Sequence, residues 1–220
     1  MIGKGGFATV YRAEWFDKIQ LVNRTVALKL FHESNNCHKE FIRELKAYCD
    51  IGLKDPTFLS CFGVSKDKVS KDYFLVMEYA LKGCLRNNLH AIAQVDWRDR
   101  LNLLQCIIYD LMIIHSQDHI HRDLHSGNIL LNSLKSAYIA DLGLSITANI
   151  ASKSNSNGIY RILPYIALEV LSKYPYTKES DIYSFSIIMW EILYGKPVSF
   201  EQKSESQFQL QKNMEKYMEK

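Results

Sequence analysis

Proline and glycine are scarce in this chain, at 4 and 10 of 220 residues. Their scarcity excludes a collagen-like repeat and a glycine- or proline-rich linker. Charge of one sign is lacking too: 27 Lys and Arg against 24 Asp and Glu leave a formal net charge of +3. So small an excess argues against nucleic acid or an anionic membrane as partner. No run approaches the roughly 18–20 apolar residues of a membrane-spanning helix. The most apolar stretch, Cys106 to Ile114, is broken by Asp110. The N-terminal Met1-Ile2-Gly3-Lys4-Gly5-Gly6 has no apolar signal-peptide core. The five cysteines (Cys37, Cys49, Cys61, Cys84 and Cys106) are odd in number and form no C-x-x-C pair. With the signal missing they read as reduced thiols of an intracellular, cytoplasmic protein, without disulfides or zinc.

What is present describes a soluble globular chain. It is 47% hydrophobic and 23% charged, which excludes disorder as the main state. At this length it can bury a core without staples. The first eighty residues alternate like a sheet with one helix. Val26, Leu28 and Leu30 point to one face of a strand, and Ala27, Lys29 and Phe31 to the other. Asn35 and Asn36 open a helical stretch carrying Phe41, Leu45 and Tyr48 at helical spacing. Residues 65–72 read as a hairpin loop leading into a strand from Tyr73 to Met77. Beyond this the pattern turns helical. Asp96 caps a helix with Trp97, Leu101, Leu104, Ile108, Leu111 and His115 on one stripe. Two short strands follow, at 129–131 and 138–140, then a small polar segment from Ser152 to Gly158 that reads as mobile. A second apolar helix is expected from Asp181 to Tyr194, and after Pro197 the composition shifts to Gln, Glu, Lys and Ser.

Chemistry is suggested first by Gly3-Lys4-Gly5-Gly6-Phe7-Ala8-Thr9-Val10, a glycine-rich turn between two strand-like segments. Such a turn can aim amide hydrogens at phosphates, or it can be a plain tight hairpin. Val26-Ala27-Leu28-Lys29 then places a lysine on a strand, and Glu44 follows fifteen residues later on the helix. Next comes His121-Arg122-Asp123-Leu124-His125-Ser126-Gly127-Asn128, and Asp141-Leu142-Gly143 stands eighteen residues after Asp123. Each element alone is more often structural. The ordered set is not.

This set resembles the eukaryotic protein kinase family from Gly3 to about Pro197, and is most like the tyrosine-kinase-like Ser/Thr kinases, divergent fungal ones included. The resemblance implies an α+β bilobal fold. A β-rich N-lobe with one helix would span 1–79, a mainly helical and apparently truncated C-lobe 80–198, and a polar tail 199–220. It implies transfer of the ATP γ-phosphate to a protein Ser/Thr (or Tyr) hydroxyl in intracellular signalling, with ATP and Mg²⁺ as ligands and a protein substrate as partner. Lys29 would bind the α- and β-phosphates, Glu44 would orient it, and Asp123 would accept the hydroxyl proton. Asn128 and Asp141 would ligate magnesium. Ile2, Gly3, Lys4, Gly5 and Gly6 would cover the nucleotide. Val10, Ala27 and Leu130 would sandwich adenine, although plain core packing is the alternative for Val10 and Leu130. Met77 would be the gatekeeper, with Glu78 and Ala80 offering backbone groups.

Leu163-Pro164-Tyr165-Ile166-Ala167-Leu168-Glu169 resembles the end of the activation loop, and Asp181 would hold the catalytic loop from behind. Arg122 beside Asp123 implies control by phosphorylation, with Ser152, Ser154, Ser156 and Tyr160 as candidate sites; a merely flexible Ser-rich loop is the alternative.

The chain departs from the pattern at several positions. Leu142 stands in place of Phe, Leu168 of Pro, Ser186 of Gly, and His125 of the usual Lys or Arg. Arg161 is the last arginine, so Glu169 lacks its expected partner. Ile182, Tyr183, Phe185, Ile187, Ile188, Met189, Trp190, Ile192 and Leu193 would lie in a partly uncovered helix, each worth about 1.5–3 kcal/mol when buried. Leu210, Met214, Tyr217 and Met218 allow one amphipathic helix in the tail, read as a solvated appendage, with docking on the exposed core as the alternative. An ATP-binding scaffold or an inactive fragment is the runner-up reading.

Overall fold

The computed structural model describes residues 1–4, 8–17, 21–32, 39–52, 55, 57–147 and 163–198. Two ten-residue strands, β2 (Ala8–Asp17) and β3 (Val22–Phe31), pair along their whole length. With β1 (Gly3–Lys4), β4 (Cys61–Lys66) and β5 (Tyr73–Glu78) they form an antiparallel sheet in the order β1-β2-β3-β5-β4. Strand β3 is central, so both its edges are paired, with β2 and β5. Val26 and Phe31 are buried and the four residues between them half-buried, which mutes the expected two-face contrast. The loop between β4 and β5 begins at Asp67 rather than Ser65, because β4 pairs as far as Lys66. The Asp67 carboxylate accepts the Val69 and Ser70 amides at 3.0 and 2.7 Å and closes that turn.

Helix α1 (Lys39–Gly52) packs on this sheet through Phe41, Ala47, Tyr48 and Ile51, all buried. Phe41 sits edge-on to Phe31 and stacked on Tyr73, with ring centroids 5.4 and 5.2 Å away. These contacts fix the helix over β3, and so fix Glu44 over Lys29. The expected helix opening at Asn35 and Asn36 lies outside the described residues.

From residue 83 the architecture is mainly helical. A small sheet, β6 (Gly83–Cys84), β8 (Ile129–Ser133) and β9 (Ser136–Ile139), is ordered β6-β8-β9, and β7 (His119–Ile120) pairs with β10 (Ile146–Thr147). The helices of this region are α2 (Leu89–Ile92), α3 (Trp97–Ser116), α4 (Leu168–Leu171) and α5 (Lys178–Tyr194), and α3 packs on β9. Asp96 caps α3 as expected, accepting the Asp99 amide at 2.8 Å. The expected stripe is only partly the buried one. Leu104 and Leu111 are buried, whereas Trp97, Leu101 and Ile108 are exposed. Strand β9 and helix α5 cover a neighbouring arc instead, which carries Leu103, Ile107, Asp110 and Ile114.

Helix α5 begins three residues earlier than expected, because Thr177 and Ser180 form a reciprocal capping box. Phe185, Ile188 and Ile192 are buried, while Ile182, Tyr183, Met189, Trp190 and Leu193 are each at least 36% exposed. The expectation of a partly uncovered helix is borne out among the described residues. The tail residues 199–220 lie outside them. One core joins the large sheet, α1, α3, α5 and the β8–β9 hairpin, and a small second cluster gathers Ile166, Ala167 and Val170. Among the described residues no helix is long and apolar enough to cross a membrane. Cys49, Cys61, Cys84 and Cys106 are free thiols.

Candidate active site

Lys29 stands on β3 opposite Val10 and Leu75, with its side chain directed at α1. Its Nζ donates to Glu44 Oε1 and Oε2 at 2.7 and 2.8 Å and to Asp141 Oδ1 at 2.9 Å. Burial alone would lower the ammonium pKa, but the two carboxylates overcome it and hold Lys29 above its ordinary value. Glu44 is fully enclosed, and burial pushes its carboxyl up to about 7 against the pull of Lys29. Burial also works against Asp141, yet the ammonium holds it below the usual carboxylate range.

Asp141 reaches this position through a left-handed backbone, φ 64° and ψ 66°. Its amide donates to the Tyr48 hydroxyl of α1 at 3.1 Å. Leu142 is completely buried, so leucine fills the slot where phenylalanine is usual. Gly143 is required by close approach: a Cβ there would come within 2.9 Å of Glu44 Oε2 and 3.3 Å of Asp141 Oδ1. Helix α1 and the Asp141 turn are therefore fitted to each other.

The loop carrying Asp123 is held from beneath by Asp181, as expected. One Asp181 oxygen accepts the His121 amide at 2.8 Å and His115 Nε2 at 2.9 Å, and the other accepts the Arg122 amide at 2.9 Å. His121 Nε2 donates to the Ala140 carbonyl at 3.0 Å, so its Nδ1 is free to accept the Asp123 amide at 3.2 Å. The Asn128 side-chain amide donates to the Asp123 carbonyl at 2.9 Å and to its Oδ2 at 3.3 Å. The Asn128 carbonyl accepts the Ala140 amide at 2.9 Å, which binds this loop to the Asp141 turn. His125 Nδ1 accepts the Gly127 amide at 3.0 Å. Burial pulls the His125 pKa down, with Asp123 opposing it.

The remaining sequence candidates are placed as follows. Ala27 pairs with Met77, which is buried, and Leu130 lies half-buried on β8. Ala80 is buried just beyond Glu78, the last residue of β5. Gly3 and Lys4 pair with Val10 and Thr9, and the Ile2 amide donates to the Val10 carbonyl at 2.8 Å. Gly5, Gly6, Ser152, Ser154, Ser156, Tyr160 and Arg161 lie outside the described residues. Glu169 accepts the Ser180 hydroxyl at 3.2 Å.

Three contributions escaped the sequence reading. In the sequence Tyr48 shows only helix periodicity, although a phenol on a buried helix face needs a partner for its hydroxyl. His115 shows only as part of a stripe. Glu191, a carboxylate within an apolar helix, accepts the Tyr165 hydroxyl at 2.7 Å and the Val198 amide at 2.9 Å; Tyr165 also meets the Ser126 hydroxyl at 2.9 Å.

A hard cation could be held here by Asp141, whose side chain is 46% exposed, and by the side-chain oxygen of Asn128. Among the described residues no group of three or more His, Cys, Asp and Glu is placed to bind a metal. A Mg²⁺ ion keeps several waters and takes phosphate oxygens as ligands, so a two-residue oxygen set fits it.

The sequence profile of the protein tyrosine and serine/threonine kinase family matches residues 1–220. Similar proteins include the leaf rust 10 disease-resistance locus receptor-like protein kinase-like 1.2 of Arabidopsis thaliana, 30% identical over 200 residues (89% of this chain, 30% of the relative). Serine/threonine-protein kinase PrkC of Bacillus subtilis is 27% identical over 198 residues (89% and 30%). The probable serine/threonine-protein kinase pknA2 of Bifidobacterium longum is 31% identical over 202 residues (89% and 26%). The chain thus spans less than a third of the length of these curated relatives. With the lysine between two carboxylates, the loop seated on Asp181 and the match along all 220 residues, the chain belongs to the protein tyrosine and serine/threonine kinase family.

Proposed function

We propose that this chain transfers the γ-phosphoryl group of ATP to a serine or threonine hydroxyl of a protein substrate. The observation that carries the reading is Lys29, held at under 3 Å by Glu44 and Asp141 together. Phosphoryl transfer needs positioning and charge neutralisation more than covalent help. Lys29 presents a fixed ammonium to the α- and β-phosphates, and Glu44 keeps it from swinging away. Asp123 accepts the proton of the attacking hydroxyl. Ile2, Gly3, Lys4, Gly5 and Gly6 cover the phosphates, and Val10, Ala27, Leu130 and Met77 enclose adenine beside the Glu78 and Ala80 backbone. Magnesium, held at Asn128 and Asp141, supplies charge neutralisation of the phosphates when bound. Residues 1–79 act as the N-lobe and 80–198 as the C-lobe.

His125 stands where typical Ser/Thr kinases carry lysine, and His125 and Gly127 where tyrosine kinases carry arginine; the acceptor preference we infer is Ser/Thr, with Tyr as the alternative. The subtype we infer is tyrosine-kinase-like Ser/Thr kinase of the divergent fungal kind. Phosphorylation at Ser152, Ser154, Ser156 or Tyr160 would engage Arg122, whose guanidinium now lies 5.1 Å from the Tyr176 ring centre. Radiolabel transfer onto Ser-only, Thr-only and Tyr-only peptide pools tests the assignment. Label should enter the first two pools, and Asp123→Asn should abolish it while nucleotide still binds. Unchanged transfer by that variant would remove Asp123 from its role.

A second reading, an ATP-binding scaffold, is favoured by the exposed apolar face of α5. Mg-ATP binding without any transfer by the wild-type chain would select it.

A further inference from the structure

The segment His125-Ser126-Gly127 carries a device that the phosphotransfer reading does not use. The His125 ring lies directly on Gly127: a Cβ at that glycine would come 2.7 Å from the imidazole Cε1 and 2.8 Å from Nδ1. The Tyr165 ring lies on another side, with centroids 5.8 Å apart at 54°. Tyr165 is itself fixed by Ser126 and Glu191, so the imidazole is packed between supports that cannot move freely. The Gly127 amide can only donate, and it donates to Nδ1 at 3.0 Å. Nδ1 therefore carries no proton, and the ring proton sits on Nε2. Nε2 lies 3.8 Å from Asp123 Oδ2, the oxygen that also receives the Asn128 amide at 3.3 Å.

We propose that His125 is a positioning residue for phosphoryl transfer: its Nε2–H, aimed by the Gly127 bond to Nδ1, orients the Asp123 carboxylate toward the acceptor hydroxyl. Asp123 Oδ2 then has donors from two directions, Asn128 and His125, and its Oδ1 is the oxygen turned to the incoming proton. The 3.8 Å separation is longer than a hydrogen bond. Catalytic hydrogen bonds are often long in the absence of substrate and tighten in its complex, and the proposal requires that this one does. The proposal rests on the kinase reading.

The test compares two substitutions in the 220-residue chain. His125→Asn keeps an oxygen near Nδ1 for the Gly127 amide and removes the donor at Nε2. His125→Gln places an amide donor near the Nε2 position. In steady-state phosphorylation, His125→Asn should lower kcat by about 10²-fold, the scale of a catalytic group misplaced by about 1 Å. KM for ATP and the melting temperature should stay near wild type, and His125→Gln should recover part of kcat. Long-range ¹H–¹⁵N correlation spectra should show His125 protonated at Nε2. Wild-type kcat in His125→Asn, equal loss in both variants with a lowered melting temperature, or a ring protonated at Nδ1 would each overturn the proposal. A wild-type chain that transfers no phosphate would overturn the kinase reading itself, and this proposal with it.

Discussion

Lys29 is enclosed between two carboxylates, and its charge is what allows Glu44 to be buried at all. Lys29→Met would strand Glu44, and removing one partner of a buried ion pair costs about 3–5 kcal/mol. Urea unfolding should register a loss of that order, and adding Glu44→Gln should restore part of it. An unshifted midpoint for Lys29→Met would mean that the pair does not hold the fold. At this scale the sequence is informative wherever a residue's chemistry depends on its order among others: Lys29, Glu44, Asp123 and Asp141 stand out as candidates that way, and Lys29, Glu44 and Asp141 meet in the structure. Tyr48 does not stand out, because its partner is the amide of Asp141, 93 positions away, and no local spacing marks such a bond.

Helix α3 is tied to β9 by one buried carboxylate. Asp110 Oδ2 accepts the Ile139 amide at 2.8 Å, yet burial outweighs that bond and pushes the carboxyl up to about 7. In the unfolded chain it titrates near 3.9, so the fold favours its protonated form. Its contribution to stability is complete below about pH 4 and is lost as the pH rises through about 7. Asp110→Asn removes that loss. The melting temperature of the variant, minus that of wild type, should be more positive at pH 8 than at pH 5. A difference independent of pH would show that Asp110 does not titrate as described. The same helix shows why elements were legible and their faces were not. Its cap at Asp96 is local chemistry, whereas the choice between Leu101 and Leu103 as the inward residue belongs to whatever packs beside it.

Across the whole molecule, the site exists because two regions are brought together by bonds between distant segments. Lys29 bridges to Asp141, Asn128 holds the Asp141 turn through Ala140, and Asp181 supports the loop of Asp123. A ligand that spans these regions should stabilise them jointly. Mg-ATP at 100 times its Kd contributes about 2.7 kcal/mol, which for a chain of this size raises Tm by about 5–10 °C. Scanning fluorimetry should show that rise in wild type and in Asp123→Asn, and not in Lys29→Met. No rise in wild type would count against a nucleotide site. The scarcity of glycine, proline and net charge, the hydrophobic periods and the ordered motif residues determined the class of fold and the chemical groups available, because these are properties of composition and local spacing. The structure alone decided the partners: Tyr48 with Asp141, Ser180 with Glu169, Tyr165 with Glu191, and the Nε2 protons of His121 and His125. Most buried polar groups find a hydrogen bond, and in a folded chain those bonds are supplied by whichever segment packing brings near.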